Sequence, residues 1–440
     1  VTLAEQGWVL VCFFCPNNVN SLEDTNQHKK SMEKMVPRLR TDLDIFPTSY
    51  QGENVFIVKD SLGLIPQPVM LRGVALQVIG LIDGMRNIQD IRAELMSLQG
   101  GVFVRSEDVE DMISQLDRAF LIDSQTYRQE KERIIKDYMQ RQTREACLAG
   151  RTYPDKPDEL GPYIQSILDS ENGQSDVLEQ KGISAVVAPH IDLDIGKKVY
   201  AKAYQVLKGL SPGKVLLLGT GHHLSESYFS LTTKDFVTPL GRIKTDREGV
   251  ERLKKECSPE TIAPNDIDHK NEHSLEFQVL FLQHLFGEDF RLMPVLCGSF
   301  QKVLHRFSQP EDIPGMSDFI SGLRLFLEDK DNPALIVAGV DFSHIGPKFG
   351  HREPATALLL EAKEHDRSLL DAICLGNGAA LWSEVRKQSN RYNVCGFSTM
   401  ALLLELLPGS TGYVLGYDFW MEEATQSAVS YAALAFPSEQ

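Results

Sequence analysis

Ile183-Ser184-Ala185-Val186-Val187-Ala188-Pro189-His190 is an apolar run of strand length that stops abruptly in an imidazole. The pattern recurs twice. Val215 to Leu218 leads into Gly219-Thr220-Gly221-His222-His223, and Leu335 to Val340 leads into Asp341-Phe342-Ser343-His344. Short apolar runs bounded by Gly and Pro, with helical patterns between them, read as buried parallel strands. In open α/β sheets, ligands gather beyond the carboxyl ends of such strands. Three ends bearing imidazole or carboxylate therefore predict one shared pocket, and a metal ion is the simplest thing for them to share. Cys395, just ahead of the apolar helical run Phe397 to Leu407, is a fourth candidate.

Outward from His190 the chain alternates strand and helix. A helix from about Ile195 to Leu207, stopped by Gly209 and Ser211-Pro212-Gly213, joins the first two runs as a βαβ unit. A helix over Glu272 to Phe286, a strand over Phe290 to Leu296, and strands over Tyr413 to Trp420 and Ser427 to Phe436 complete the pattern. Residues 144–440 are thus expected to form an α/β domain, with a mainly parallel or mixed central sheet flanked by helices. Residues 124–143, dense in Arg, Lys, Glu and Gln, read as an exposed linker helix.

Residues 36–123 read as a small α+β, winged-helix-like domain. Asp42 to Tyr50 and Asn54 to Lys59 flank Gln51-Gly52-Glu53 as a hairpin would. Three helical patterns follow, Gly73 to Ile82, Ile88 to Leu98 and Asp108 to Phe120, each able to bury one face. Residues 1–35 read as a disordered extension. It holds Cys12-Phe13-Phe14-Cys15, a lone CxxC with no second pair to complete a metal site.

Composition bounds the rest. At 440 residues the chain exceeds one ordinary core, so two domains are expected. A net charge of -16 argues against a nucleic-acid surface, which needs clustered Lys and Arg. Seven scattered cysteines do not form a disulfide framework, which predicts a reducing, cytoplasmic setting. No apolar run approaches the roughly 20 residues that span a bilayer, so no membrane partner is expected.

Among the candidate ligands, successive side chains of an extended His222-His223 pair point opposite ways, so only one faces the pocket; His223 is favoured, with His222 supporting. Asp341 and His344 converge if a helical turn begins there, or else form a local hydrogen-bonded pair. A thiol at a helix N-terminus meets the positive end of the dipole, which predicts a lowered pKa for Cys395 and a role as ligand or nucleophile. His273 and Glu276 share one helix face, either as groups orienting a ligand, as acid/base partners, or as a surface pair. Histidine with cysteine or carboxylate suits Fe, Cu or Zn better than Mg or Ca.

Seven ordered motifs give these residues a resemblance. They are Ala149-Gly150 with Tyr153-Pro154, Ala188-Pro189-His190, Leu218-Gly219 with His222-His223, Thr238-Pro239-Leu240-Gly241, Glu272-His273-Ser274-Leu275-Glu276, Asp341-Phe342-Ser343-His344 with Gly346, and Cys395-Gly396. From Arg144 onward the chain resembles the Memo family, known in prokaryotes as AmmeMemoRadiSam system protein B. The resemblance implies a fold similar to class III extradiol dioxygenases, which use non-haem Fe(II). It implies a pocket at His190, His223, Asp341, His344 and Cys395, with Fe or Cu held by His190, His223 and Cys395. It further implies a radical-SAM protein and an AMMECR-type protein as partners. One departure stands out: Ile191-Asp192-Leu193-Asp194 follows His190 where the family has Ala-Gly-Tyr, adding carboxylates at the pocket mouth.

Residues 36–123 resemble PqqD-like, peptide-recognising winged-helix domains, through Leu81-Ile82-Asp83-Gly84, the Ile88 to Leu98 helix, and Leu116 to Leu121-Ile122-Asp123. That likeness implies a peptide or protein partner for the N-terminal domain. Three functions are expected, in order. The first is a metal-binding redox protein or oxidoreductase, with His344 as a proton-transfer group steered by Asp341. The second is a ring-cleaving, dioxygenase-like or hydrolytic metalloenzyme; the third is a non-catalytic peptide- or partner-binding module.

Overall fold

The computed structural model describes residues 34–171, 182–328 and 334–438, together with the backbone of 9–10. The Cys12–Cys15 pair and nearly all of the expected 1–35 extension lie outside these residues. The chain divides into two compact units, 1–137 and 138–440.

In the first unit, strands β1 (Val9–Leu10), β2 (Leu43–Tyr50), β3 (Glu53–Asp60) and β4 (Val69–Leu71) form a sheet of order β1-β4-β3-β2. Tyr50 pairs with Glu53, so the β2–β3 turn is only Gln51-Gly52, and both residues have positive φ, 52° and 80°. That is the two-residue hairpin whose twist matches its strands, for which glycine is suited. Helices α1 (Val74–Leu81), α2 (Ile88–Leu98) and α3 (Ser106–Arg118) bury Val78, Ile91, Leu95, Val109 and Leu116 in one core with Val58 and Leu71. Asn87 caps α2 in a reciprocal box with Asp90. The linker pattern is a helix, α4 (Gln125–Met139), and the division between units falls near its end.

The second unit is a mixed α/β layer structure. Among the described residues its eleven strands are β5 (Thr143–Glu145), β6 (Ile183–Ala188), β7 (Lys214–Thr220), β8 (Phe229–Leu231), β9 (Asp235–Thr238), β10 (Gly241–Thr245), β11 (Arg291–Cys297), β12 (Ala334–Gly339), β13 (His344–Ile345), β14 (Tyr413–Glu422) and β15 (Ser427–Pro437). The order is β13-β15-β6-β12-β7-β11-β10-β9-β5, with β14 beside β15 and β8 beside β11. From β6 to β10 the neighbours are parallel.

Its helices are α5 (Pro157–Leu168), α6 (Leu193–Gln205), α7 (Arg247–Glu256), α8 (His273–Phe286), α9 (Met316–Leu327), α10 (Ala355–Cys374), α11 (Gly378–Lys387) and α12 (Phe397–Leu406). The period of two along each strand divides them between two cores. Ala185, Val187, Leu216 and Leu218 pack with Phe319, Trp382 and Leu402 on one face. Val186, Ala188, Val215 and Leu217 pack with Leu160, Tyr204 and Phe281 on the other. Each fully buried Leu or Phe contributes roughly 1.5–3 kcal/mol, so both faces of the sheet are firmly covered.

The βαβ reading of β6, α6 and β7 holds, with β12 inserted between the two strands. Gly339 pairs with both Ala188 and Gly219, so β6, β12 and β7 end level with one another. A Cβ on Gly339 would collide with the Ser274 carbonyl and come within 2.7 Å of the Gln278 amide nitrogen. Glycine there lets α8 cross close over the strand ends, which places Glu272 and His273 above them. Among the described residues no helix is long and apolar enough to cross a membrane.

Candidate metal centre

His190 leaves β6 nearly buried, at 2% exposure. Its Nδ1 lies 3.0 Å from the Gly339 carbonyl at the end of β12. A carbonyl only accepts, so Nδ1 carries the proton and Nε2 is left with its lone pair. That Nε2 stands 3.5 Å from Cys395 Sγ and 3.7 Å from Asp341 Oδ2. The Asp341 carboxylate accepts the His190 backbone N–H at 2.9 Å, and the Ile191 N–H as well.

His222 comes from the exit of β7. Its Nδ1 lies 3.0 and 3.1 Å from the two oxygens of Glu272, and its backbone N–H donates to the same carboxylate. Glu272 is the N-cap of α8, where it accepts the Ser274 N–H at 2.9 Å. It also reaches His273 Nδ1 at 3.2 Å. One buried carboxylate thus holds two imidazoles by the same ring nitrogen, leaving both Nε2 atoms for other work. The rings of His190, His222 and His273 lie 4.9–5.3 Å apart, centroid to centroid. His190, His222 and Cys395 bring their donor atoms within 4.8 Å of one another, as do His222, Glu272 and His273.

The electrostatics suit a cation. Burial and the neighbouring imidazoles push His190 well below its usual pKa, which keeps it neutral. Burial would lower His222 too, but the Glu272 charge holds it well above, and the pairing keeps Glu272 ionised despite its own burial. Burial lifts Asp341 to about 7. It also pushes His344 down to about 4. Three imidazoles gathered around a thiol and a carboxylate repel one another when protonated and are satisfied by a metal ion.

The Memo-like protein family model matches residues 144–435. The chain belongs to the Memo family. A MEMO1 family protein of Aquifex aeolicus is 31% identical over 409 residues, covering 91% of this chain and all of that one. One from Methanopyrus kandleri is 28% identical, covering 67% of this chain and 98% of its own length. One from Thermus thermophilus is 25% identical, covering 79% and 98%. Among solved structures, an uncharacterized Escherichia coli K12 protein is 11% identical with a TM-score of 0.31, covering 57% of this chain and 99% of that one.

In this Memo chain the structure brings His190, His222 and Cys395 together, and the placement of the other expected residues differs at three points. His222, and not His223, stands with His190 and Cys395; His223 belongs to neither donor group. The strand alternation that favoured His223 ends at Thr220. There the Gly221 N–H bonds the Cys297 carbonyl and a turn closes from Leu224 N–H back to Gly221. Glu276 has Arg144 and the 147–153 segment as its hydrogen-bond partners, and not an imidazole. It accepts from Arg144, the Cys147 and Leu148 N–H groups and the Tyr153 hydroxyl, so it locks the start of the domain. Its place is taken by Glu272, whose signal was a carboxylate directly ahead of His273 at a helix start.

The third change concerns Asp341 and His344, which are not bonded to each other. Residues 341–343 form no helical turn, and His344 opens β13 with its Nδ1 3.0 Å from the Phe342 carbonyl. Asp341 therefore holds the His190 backbone and does not steer His344. Cys395 lies just ahead of the Gly396 cap of α12 as expected, yet burial raises its thiol, and the hydrogen bond with His222 only partly offsets this. The carboxylates after His190 are structural: Asp192 caps α6, and Asp194 accepts from the Tyr163 hydroxyl.

Proposed function

We propose that this chain binds one transition-metal ion, Fe or Cu, through His190, His222 and Cys395, and works as a redox protein or oxidoreductase. One observation carries the reading: the Nδ1 atoms of His190 and His222 are both committed to protein acceptors, which leaves the Nε2 atoms beside the Cys395 thiol. Imidazole with a soft sulfur selects Fe, Cu or Zn over Mg or Ca. Such an ion, when bound, supplies one-electron chemistry or polarises a substrate oxygen. Around it, Glu272 fixes the His222 and His273 rings, and Asp341 fixes the His190 backbone. His344, neutral near pH 7 because burial holds it low, is the proton-transfer group of this reading.

Metal analysis of protein purified without air tests this. About one equivalent of Fe or Cu is expected. His222→Ala and Cys395→Ser should lose it, while His223→Ala keeps it. Retention in His222→Ala with loss in His223→Ala would sink the ligand assignment. Less than about a tenth of an equivalent after adding Fe, Cu or Zn would sink the metal reading.

The dioxygenase-like alternative is favoured by one distance. Asp341 Oδ2, 3.7 Å from His190 Nε2, adds a carboxylate to two imidazoles, the donor types of non-haem iron oxygenases. Oxygen uptake with catechols tests it. We further propose a radical-SAM protein and an AMMECR-type protein as partners, and a peptide-binding role for the PqqD-like, winged-helix-like N-terminal unit; co-purification tests both.

A further inference from the structure

Two stretches far apart in the chain are laced together beside the proposed centre. One is 341–351, the exit of β12 with the loop beyond it; the other is 391–396, which carries Cys395 into α12. The His344 N–H donates to the Tyr392 carbonyl at 2.7 Å, and the Gly396 N–H donates to the Asp341 carbonyl at 3.2 Å. Tyr392 and Gly396 are thereby pinned at the two ends of the span Asn393-Val394-Cys395. A span held only at its ends can still bow, whereas a metal donor has to be held to within about 0.5 Å.

Asn393 removes that freedom. It is exposed, so its amide fills no place in a core, yet Nδ2 donates to the His344 carbonyl at 3.2 Å and to the Phe349 carbonyl at 3.0 Å. An amide nitrogen has two hydrogens, one for each carbonyl. The Asn393 carbonyl in turn accepts from the His344 ring. Its φ of 49° lies in the left-handed region, which asparagine tolerates better than most residues.

The loop it grips is a firm anchor. The Gly346 N–H donates to His351 Nδ1 at 3.2 Å, so His351 Nε2 carries the ring proton and donates to the Arg391 carbonyl at 2.9 Å. The Lys348 N–H donates to Ser427 Oγ at 2.9 Å, and the Lys348 ammonium pairs with Glu422 at 2.9 Å. The Phe349 ring lies edge-on to His344, 4.9 Å between centroids. By contrast, Cys395 Sγ stands 3.5 Å from both His190 Nε2 and the Asp341 carbonyl. These are long contacts of a weak donor, so the thiol does not fix its own position.

We infer that Asn393 is a positioning residue for Cys395: its amide, gripping the carbonyls of His344 and Phe349, sets where the sulfur stands against His190 and His222. The inference rests on the proposed metal centre for its purpose but not for its first test, which uses the metal-free protein.

Cys395 is partly open to a cavity of about 520 Å³, which admits a small reagent. The full chain is alkylated with iodoacetamide without metal, and the rate at Cys395 is read by peptide mass spectrometry. Asn393→Gly keeps the left-handed backbone and removes the amide; Asn393→Asp keeps the shape but, ionised, cannot donate. Losing two ordinary hydrogen bonds should raise the Cys395 rate about fivefold or more in both variants. Ser389→Gly, at another exposed left-handed position in the same cavity wall, with φ of 50°, should leave that rate unchanged. With Co(II) added, the sulfur-to-cobalt charge-transfer band should shift or fade in both Asn393 variants and affinity should weaken about tenfold. Ser389→Gly should keep the parent band. Circular dichroism and the alkylation rate of Cys374 should match the parent throughout, which separates a moved sulfur from a loosened fold.

A Cys395 rate within about twofold of the parent in both Asn393 variants overturns the inference. An equal rise in Ser389→Gly does so too, because the loop as a whole would then have loosened. Faster alkylation in protein that takes up no cobalt supports the positioning role and defeats the metal centre. A cobalt-loaded protein whose band is unaltered in the Asn393 variants defeats the positioning role alone.

Discussion

Glu272→Gln is the most diagnostic single change in the site. The carboxylate accepts four N–H groups: the His222 backbone, the Nδ1 atoms of His222 and His273, and the Ser274 backbone. A glutamine has one oxygen in place of two, so either orientation turns its NH₂ toward an N–H donor. The negative charge that sets both rings is lost as well. Carboxylates that orient metal-bound histidines typically contribute 10–100-fold in affinity, or roughly 1.4–2.7 kcal/mol. Competition against a chelator of known affinity, under argon, reads this directly. Loss of the α8 cap costs roughly 1 kcal/mol of folding stability, so urea unfolding of the metal-free protein is measured alongside. An affinity within about twofold of the parent, with His222→Ala still unable to bind, would refute the orienting role.

Further expectations concern the frame. Glu276→Gln strands the buried Arg144 guanidinium, so the urea midpoint should fall by the equivalent of about 3–5 kcal/mol, and pairing it with Arg144→Met should recover much of that; equal loss in single and double variants would contradict it. Gly396→Ala would put a Cβ 2.6 Å from Val340 Cβ and 2.7 Å from the Asp341 carbonyl, costing about 1–3 kcal/mol and displacing Cys395. Metal content should drop with it. His269 is pushed down to about 4 by burial, below its unfolded value near 6.5. The unfolded chain therefore binds the extra proton, and stability should decline as pH falls from about 6.5 toward 4. Urea unfolding of His269→Gln across that window should show a shallower decline than the parent; an unchanged slope counts against it.

The strand-end pattern was enough to find the site's neighbourhood, because β6, β7 and β12 are apolar, short and terminated by residues with chemistry. Which of two adjacent histidines enters was not legible. It is decided by the Gly221 N–H bonding Cys297 on β11, a partner far away in sequence. The role of Glu276 was misplaced for the same kind of reason, since its partners lie some 123–132 residues away. Cys395 shows a different limit: helix position argues for a low thiol pKa, and burial, which sequence does not display, outweighs it. The left-handed turns at Ser389, Asn390 and Asn393 contain no glycine, and their only mark in the sequence is the two asparagines, which tolerate that region.

The lock and the site are one assembly. Arg144 donates to the carbonyls of His269 and Glu272 as well as to Glu276. Its two carbonyl contacts bracket the turn that delivers Glu272, the residue gripping two imidazoles, to the top of the sheet. Glu276, one helical turn further along α8, then fastens Cys147, Leu148 and Tyr153. Docking of the segment 144–153 therefore sets the height of the α8 N-terminus over β6, β12 and β7. Fully satisfied buried networks of this kind specify one arrangement more than they add stability. A donor set that must hold Nε2 and Sγ atoms within 4.8 Å needs that specificity, since a shift of one ångström at Glu272 moves two rings together.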